Sequence, residues 1–320
     1  MDNWKPTASL NLLKRRAKML AELRAFFAKR NVLEVETPAL SQAANTDPYI
    51  ESFSLDNRQR FLHTSPEYAM KRLLAAGSGD IYQICKVWRD EEAGHYHNPE
   101  FTLLEYYRIG FSYQQLMQEL EFLLMILLKL KKSANYYPYQ QLFIELLQLD
   151  PHKADHSLLI ACARENIPEL VIGDKARWQK QDLLDVLLTH CIEPSFAKDR
   201  LTFVYDYPVT QSALANIRDA TQTEAAVAER FEVYYGSVEL ANGYQELTDA
   251  RKNAQVIETE LHTRKQQQQQ AFPKDEYFLQ AMEAGMPSAS GVAIGLDRLL
   301  MCATGQKTIQ QVISFPWGRA

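Results

Sequence analysis

Two apolar segments joined by a short polar loop constrain the fold more than any other feature of this chain. I-Y-Q-I-C-K-V-W (81–88) and F-T-L-L-E-Y-Y-R (101–108) are rich in aromatic and β-branched residues. The stretch 90–99 between them carries Gly94, His95, His97, Asn98 and Pro99. That pattern predicts an antiparallel hairpin. Strand side chains alternate, so Phe101, Leu103, Glu105 and Tyr107 share one face. A carboxylate between aromatics on one face suits a cationic head group or a flat base. A solvated strand face is the alternative for an isolated strand.

Further elements follow from periodicity. Residues 10–30 predict an amphipathic helix with Leu13, Ala17, Leu20, Leu23 and Phe27 on its apolar stripe and Lys14, Arg15, Arg16, Lys18 and Arg24 opposite. V-L-E-V-E-T-P reads as a short strand ending at Pro38. Ser65-Pro66-Glu67 predicts a helix start with Ser65 as N-cap, the helix running to about Ala76. A second amphipathic helix is expected over 113–131. Within 133–198, helices are expected near 155–165 and 180–191, in what reads as an insertion. Segments 201–208, 231–235 and 238–243 read as strands, and 249–271 as a helix with Gln266–Gln270 on a solvated face. Strand 291–295 feeds a last helix that begins with Asp297 and Arg298. Strands without strict β-α-β alternation argue for an α+β fold, a mainly antiparallel sheet flanked by helices. With no repeats and no linker, residues 1–320 read as one domain.

Composition excludes several classes of function. The chain has 320 residues, 46% hydrophobic, enough for a large core. Its net charge of -5 argues against nucleic acid as the main partner. Cys85, Cys162, Cys191 and Cys302 lie far apart without a C-x-x-C, so they read as buried thiols. No N-terminal signal core is present, and the longest apolar run (122–128) is too short to span a bilayer. A cytoplasmic protein is the expectation.

Three constellations carry chemistry. Arg89 and Glu91 stand at the mouth of the hairpin, and an arginine there can fork onto an α-phosphate; an ion pair with Asp90, Glu91 or Glu92 is the alternative. His97 suits contact with nucleotide phosphates, His95 solvent. Glu232 and Glu239 face one side if the Gly236-Ser237 turn restores parity, and two such carboxylates beside a triphosphate are natural magnesium ligands. Asn242 and Glu246 follow. Finally, G-V-A-I-G-L-D-R (291–298) places glycines on a strand, where a ligand can approach the backbone, and Arg298 at a helix start, within reach of a γ-phosphate.

At these residues the chain resembles the catalytic domain of class II aminoacyl-tRNA synthetases, lysyl-tRNA synthetase most of all, over nearly its whole length. A-K-R-N-V-L-E-V-E-T-P resembles the first class II motif, a dimer-interface helix and strand. W-R-D-E through H-N-P-E-F-T-L-L-E-Y-Y resembles the second, with Trp88 and Asp90 where Phe and Asn are usual. Residues 291–298 resemble the third. The resemblance implies ATP and Mg2+ as cofactors. Arg89 and Arg298 would hold phosphates as the catalytic pair. Glu91, His97 and Asn98 would support the nucleotide, Phe101 would stack on adenine, and Glu232 and Glu239 would bind magnesium, Glu239 also touching ATP. T-S-P-E at 64–67 matches a lysine-binding pattern, so Ser65 and Glu67 would meet the amino acid, Glu67 through its backbone amine. Glu105, Tyr107, Asn242, Glu246, Ala293 and Gly295 would complete that pocket.

Two departures sharpen the resemblance. Only some ten residues precede the first helix, so no N-terminal anticodon-binding OB-fold is expected. Ala293 stands where glycine is usual. Together with E-E-A-G-H-Y-H-N-P-E-F-T-L-L-E-Y and E-L-A-N-G-Y-Q-E-L-T-D-A-R, they make the chain similar to the group of stand-alone (R)-β-lysine ligases that modify elongation factor P. That likeness implies elongation factor P as acceptor, lysine or β-lysine as substrate, a homodimer, and no dependence on tRNA or membrane. A truncated lysyl-tRNA synthetase and a catalytically silent amino-acid sensor are the rival expectations.

Overall fold

The computed structural model describes residues 4–55, 60–90, 92–170 and 178–320. They form two compact units: residues 1–129 with 246–320, and residues 130–245. The stretch 133–198 lies inside the second.

The first unit begins with α1 (Leu10–Ala28), whose N-cap Ser9 accepts a hydrogen bond from the Leu12 amide. Its buried residues are Met19, Leu23, Phe26 and Phe27, while Ala17 is exposed. The stripe is thus rotated from the one expected. Apolar residues lie around much of this helix, so spacing alone does not choose the face. Arg16, expected in solvent, points inward. Next come β1 (Leu33–Glu34), β2 (Leu40–Ser41), β3 (Ser54–Leu55) and β4 (Arg60–Leu62). β1 is far shorter than the strand expected to end at Pro38. The order β2-β4-β3 makes a small antiparallel sheet. α2 (Glu67–Ala75) has Pro66, not Ser65, at its N-cap. The Ser65 hydroxyl accepts from the Glu67 amide at 3.0 Å and leaves its proton for another partner. β5 (Ile81–Trp88) and β6 (Glu100–Ile109) form the expected antiparallel hairpin, with β1 parallel to β5. α3 (Tyr113–Leu128) follows, closed by a Ser112/Gln115 capping box.

In the second unit, β7 (Asn135–Pro138) leads into α4 (Tyr139–Leu147), two elements the residue pattern did not single out. α5 (His156–Asn166) and α6 (Lys180–Leu187) stand near their expected places. β8 (Leu201–Pro208) pairs parallel with β7 and antiparallel with β10 (Val227–Tyr235). The short β9 (Ile217–Arg218) pairs with the start of β10, and β11 (Val238–Gln245) pairs antiparallel with β10 across the Gly236-Ser237 turn. Gly236 has φ +58, a conformation that suits glycine. Leu183, Leu184, Leu187, Phe143 and Val204 are among the residues of this unit's core.

The chain then returns to the first unit with α7 (Ala250–Gln266), α8 (Glu276–Ala284), β12 (Ala289–Gly295) and α9 (Leu296–Thr304). α7 stops at Gln266, so the glutamine run is the helix end and not a helical face. Gln268 takes φ +59, Gln269 donates to Pro48 O, and Gln270 O accepts from Arg264. β12 pairs antiparallel with β6.

Strand parity gives the β5-β6-β12 sheet two distinct faces. Even-numbered residues of β6 face the helices. Phe27 of α1 packs on Tyr106 of β6 and stacks 4.3 Å from Tyr82 of β5. Arg108 of β6 pairs with Glu119 of α3. Odd-numbered residues of β6 and β12 line the opposite face, where the candidate site lies. Among the described residues no helix is long and apolar enough to cross a membrane.

Candidate active site

On that face the cross-strand register sets Gly291 beside Tyr107, Ala293 beside Glu105 and Gly295 beside Leu103. Glu105 is buried, with both oxygens in use: Tyr107 Oη donates to one at 2.6 Å and Ser65 Oγ to the other at 2.7 Å. Helix α2 contributes Glu67 and, one turn on, Lys71. The Lys71 ammonium has no exposed surface; it lies 2.7 Å from Glu67 Oε1 and 2.6 Å from Glu246 Oε2. Glu246 follows β11, its amide donating to Ala289 O of β12. A Cβ on Gly291 would lie 2.3 Å from Glu246 Oε1 and 2.4 Å from the Tyr107 ring. Only glycine lets these two side chains close over the strand. Gly291→Ala is therefore expected to raise KM for the amino acid by more than tenfold while that for ATP changes little, as initial rates over both substrates would show.

Burial decides the electrostatics of this cluster. It pushes the Glu105 carboxyl up to about 7, with Glu67 adding to the rise and the Tyr107 and Ser65 hydrogen bonds opposing it. Burial likewise takes Glu246 to about 8, against the pull of Lys71. For Lys71, burial disfavours the ammonium, but Glu246 and Glu67 outweigh it, so the group stays charged above the ordinary lysine range. Among the described residues, three carboxylates face the Lys71 ammonium. With all three ionised, which the raised Glu105 and Glu246 reach only above neutral pH, the negative charges outnumber that cation by two.

A separate arginine group surrounds the hairpin loop. The Arg89 amide donates to Pro99 O, closing the loop, and its guanidinium lies 5.2 Å from the Phe101 ring centre. Arg89 Nη1 also lies 3.6 Å from Glu92. Arg298, in the first turn of α9, donates through Nε to Tyr96 O at 3.2 Å and through Nη2 to His97 Nε2 at 2.6 Å. Burial, with Arg298 next, lowers the His97 pKa, so the ring is neutral and its Nε2 accepts. Asn98 donates to Glu100 O and accepts from the Trp317 amide, so its side chain ties the loop to the C-terminal segment. Glu91 lies outside the described residues. Asp297 anchors the neighbouring backbone: it is buried, accepts from the Thr102 amide at 2.7 Å, and pairs with Arg16.

The second unit holds Glu232, Glu239 and Asn242. Register places Glu232 opposite Asn242 and Glu239 opposite Tyr234. Glu232 accepts from Tyr207 Oη at 2.6 Å, from Tyr234 Oη, and from Arg230 Nη2 at 2.6 Å; Arg230 Nε donates to Asn242 Oδ1. With its charge matched by Arg230 and both oxygens occupied, Glu232 would have to shed a donor before ligating a metal. Glu239 is partly buried.

The structure thus joins Ser65, Glu67, Glu105, Tyr107 and Glu246 in one cluster, with Ala293 and Gly295 on the same sheet face. Arg89, His97, Phe101 and Arg298 belong to the hairpin mouth, and Glu232 and Asn242 to the second unit. Sequence reasoning missed Lys71, although its i+4 spacing from Glu67 on a helix is a readable signal. It also missed Arg16 and Asp297 as partners, for which no local signal exists.

A sheet face with a buried cluster of carboxylates around a lysine, and arginines at the adjoining strand and helix ends, fits the catalytic domain of an ATP-dependent amino-acid ligase. The chain belongs to the tRNA synthetase class II (D, K and N) family, whose model matches residues 2–319. The family's chemistry is activation of an amino acid by ATP, for which its members use magnesium.

Proposed function

We propose that the protein activates a diamino acid, (R)-β-lysine or lysine, as its acyl-adenylate and transfers the acyl group to the ε-amino group of a lysine in elongation factor P. The observation that carries the substrate class is the cluster of Glu67, Glu105 and Glu246 around Lys71. Of the amino acids named by the family, aspartate would set its side-chain carboxylate against those carboxylates, and asparagine would bring a single ammonium. The two ammonium groups of a diamino acid supply what the cluster lacks.

The substrate carboxylate is already ionised, so activation needs no general base. One of its oxygens attacks the α-phosphorus of ATP, the bond to the bridging oxygen breaks, and pyrophosphate leaves. Arg89 and Arg298 offset phosphate charge, and magnesium, when bound, would do the same. Glu105 and Glu246 hold the amino groups so that the carboxylate is presented in one direction. In the second step the acceptor amine attacks the acyl carbon and AMP departs. A free lysine amine has a pKa of about 10.4, so it reacts after losing its proton.

Ala293 supports the β-amino isomer as natural substrate. Its methyl group lies beside Glu105, where a glycine would leave space. A wall change of one methyl is typically worth about 1–3 kcal/mol in selection. Ala293→Gly is therefore expected to shift the kcat/KM ratio toward α-lysine by roughly 10-fold or more; an unchanged ratio would remove this wall from the selection. We also place a twofold dimer at α1 and β1, where Leu10 and Leu33 are exposed. Light scattering of Leu33→Lys tests it: a monomer is the expected result.

Incubation of the enzyme with ATP, each lysine isomer and either elongation factor P or tRNA tests the acceptor. Intact-mass spectrometry should show elongation factor P heavier by one acyl group, with β-lysine preferred. Acylation of tRNA with unmodified elongation factor P would instead establish a synthetase.

A further inference from the structure

We infer that Lys71 is a positioning residue that sets the charge the amino-acid site demands: its ammonium spans Glu67 and Glu246, so that the ionised cluster has room for two further ammonium groups, the number a diamino acid brings. The inference rests on the function proposed above and deepens it. Three observations carry it. Lys71 is fully buried and contacts two carboxylates at 2.7 and 2.6 Å. The third carboxylate, Glu105, is held by the neutral donors Ser65 and Tyr107. Gly291 permits Glu246 to approach the strand closely enough to reach the ammonium. Without Lys71, Glu67 and Glu246 would repel each other across the space that the substrate amine must enter. Burying three like charges with no cation drives protonation, and a protonated carboxyl does not select an ammonium.

Every element packed around the cluster contributes to its titration. α2 supplies Glu67 and Lys71, β6 supplies Glu105 and Tyr107, and Glu246 follows β11. Cys85 on β5 faces Glu105, its thiol pushed up to about 12 by burial. Glu260 on α7 faces Glu67; burial raises it to about 8, and Thr46 Oγ1 donates to it. The sign of the pH effect follows. A diammonium substrate needs ionised carboxylates, so its KM falls as pH rises through the range in which Glu105 and Glu246 lose their protons. Removing Lys71 strengthens proton binding by both and moves that fall to higher pH.

The test is ATP–pyrophosphate exchange from pH 6.5 to 8.5 with wild type and Lys71→Met, KM being measured separately for the diamino acid and for ATP. Wild type without exchange on either lysine isomer would overturn the proposed function and this inference together. Given wild-type exchange, Lys71→Met should raise KM for the diamino acid roughly 10²-fold at pH 7. KM for ATP should stay within about twofold, and the pH at which the diamino-acid KM levels off should move up by about one unit. An unchanged KM, or both KM values rising together with the pH profile in place, would reduce Lys71 to a packing role. If Lys71→Met does not fold, Lys71→Met/Glu246→Gln removes the unmatched carboxylate as well. Recovery of a cooperative melting transition supports the charge-setting role, and a double variant no more stable than the single one refutes it.

Discussion

Arg298→Ala should abolish adenylate formation and leave the fold intact. The guanidinium stands in the first turn of α9 and spends its visible contacts on the hairpin loop, one to Tyr96 O and one to neutral His97. Those contacts hold the guanidinium at the hairpin mouth, where the proposed phosphate would meet it. The loop does not depend on it. Ile309 N donates to His95 O, Gln310 Nε2 to Gly94 O, and Gly94 N to His97 O. The backbone under Arg298 is fixed separately by Asp297 through Thr102 and Arg16. Loss of a preorganised donor aimed at developing phosphate charge costs about 10²–10³ in rate, and loss of a full guanidinium charge belongs at the upper end of that range. ATP–pyrophosphate exchange measures the effect. A melting temperature within a few degrees of wild type, together with loss of exchange, is the expected pair of results; retained exchange contradicts the role.

Glu246→Gln has the second largest expected effect and acts on the other substrate. The carboxylate is buried, pairs with Lys71 and closes against Gly291 and Tyr107. Neutralising it removes the carboxylate that lies 2.6 Å from Lys71 and takes one negative charge from the site. Truncating one member of a buried, hydrogen-bonded charge pair costs about 2–5 kcal/mol, much of it from the partner left behind. KM for the diamino acid should therefore rise about 10²-fold or more, far more than that for ATP. Equal changes in both would place Glu246 outside the pocket. A lower melting temperature is expected as well, since the buried Lys71 ammonium loses the closer of its two carboxylate contacts.

Much of this arrangement was legible because it is local. The β5-β6 hairpin announces itself by two apolar strands and a polar loop, and strand parity then puts Glu105 and Tyr107 on one face. β12 and α9 follow from G-V-A-I-G-L-D-R in the same way. What was not legible depends on distant neighbours. The buried face of α1 is chosen by Tyr82 and Tyr106, which lie far along the chain from Phe27. The Ser65 hydroxyl looked like a helix cap, but Glu105, forty residues later, takes its proton. Tyr207 donates to Glu232 from another strand, a contact that no local pattern around Glu232 shows. The glutamine run looked helical by composition, whereas Arg264 and Pro48 capture its carbonyl and amide groups at the helix end.

The central claim is that this pocket selects an amino acid by demanding two positive charges. ATP–pyrophosphate exchange across lysine, (R)-β-lysine, norleucine, aspartate and asparagine tests it most directly, because norleucine keeps the shape of lysine without its terminal charge. Exchange with the two diamino acids alone is the predicted result. Comparable kcat/KM with norleucine, aspartate or asparagine would contradict it.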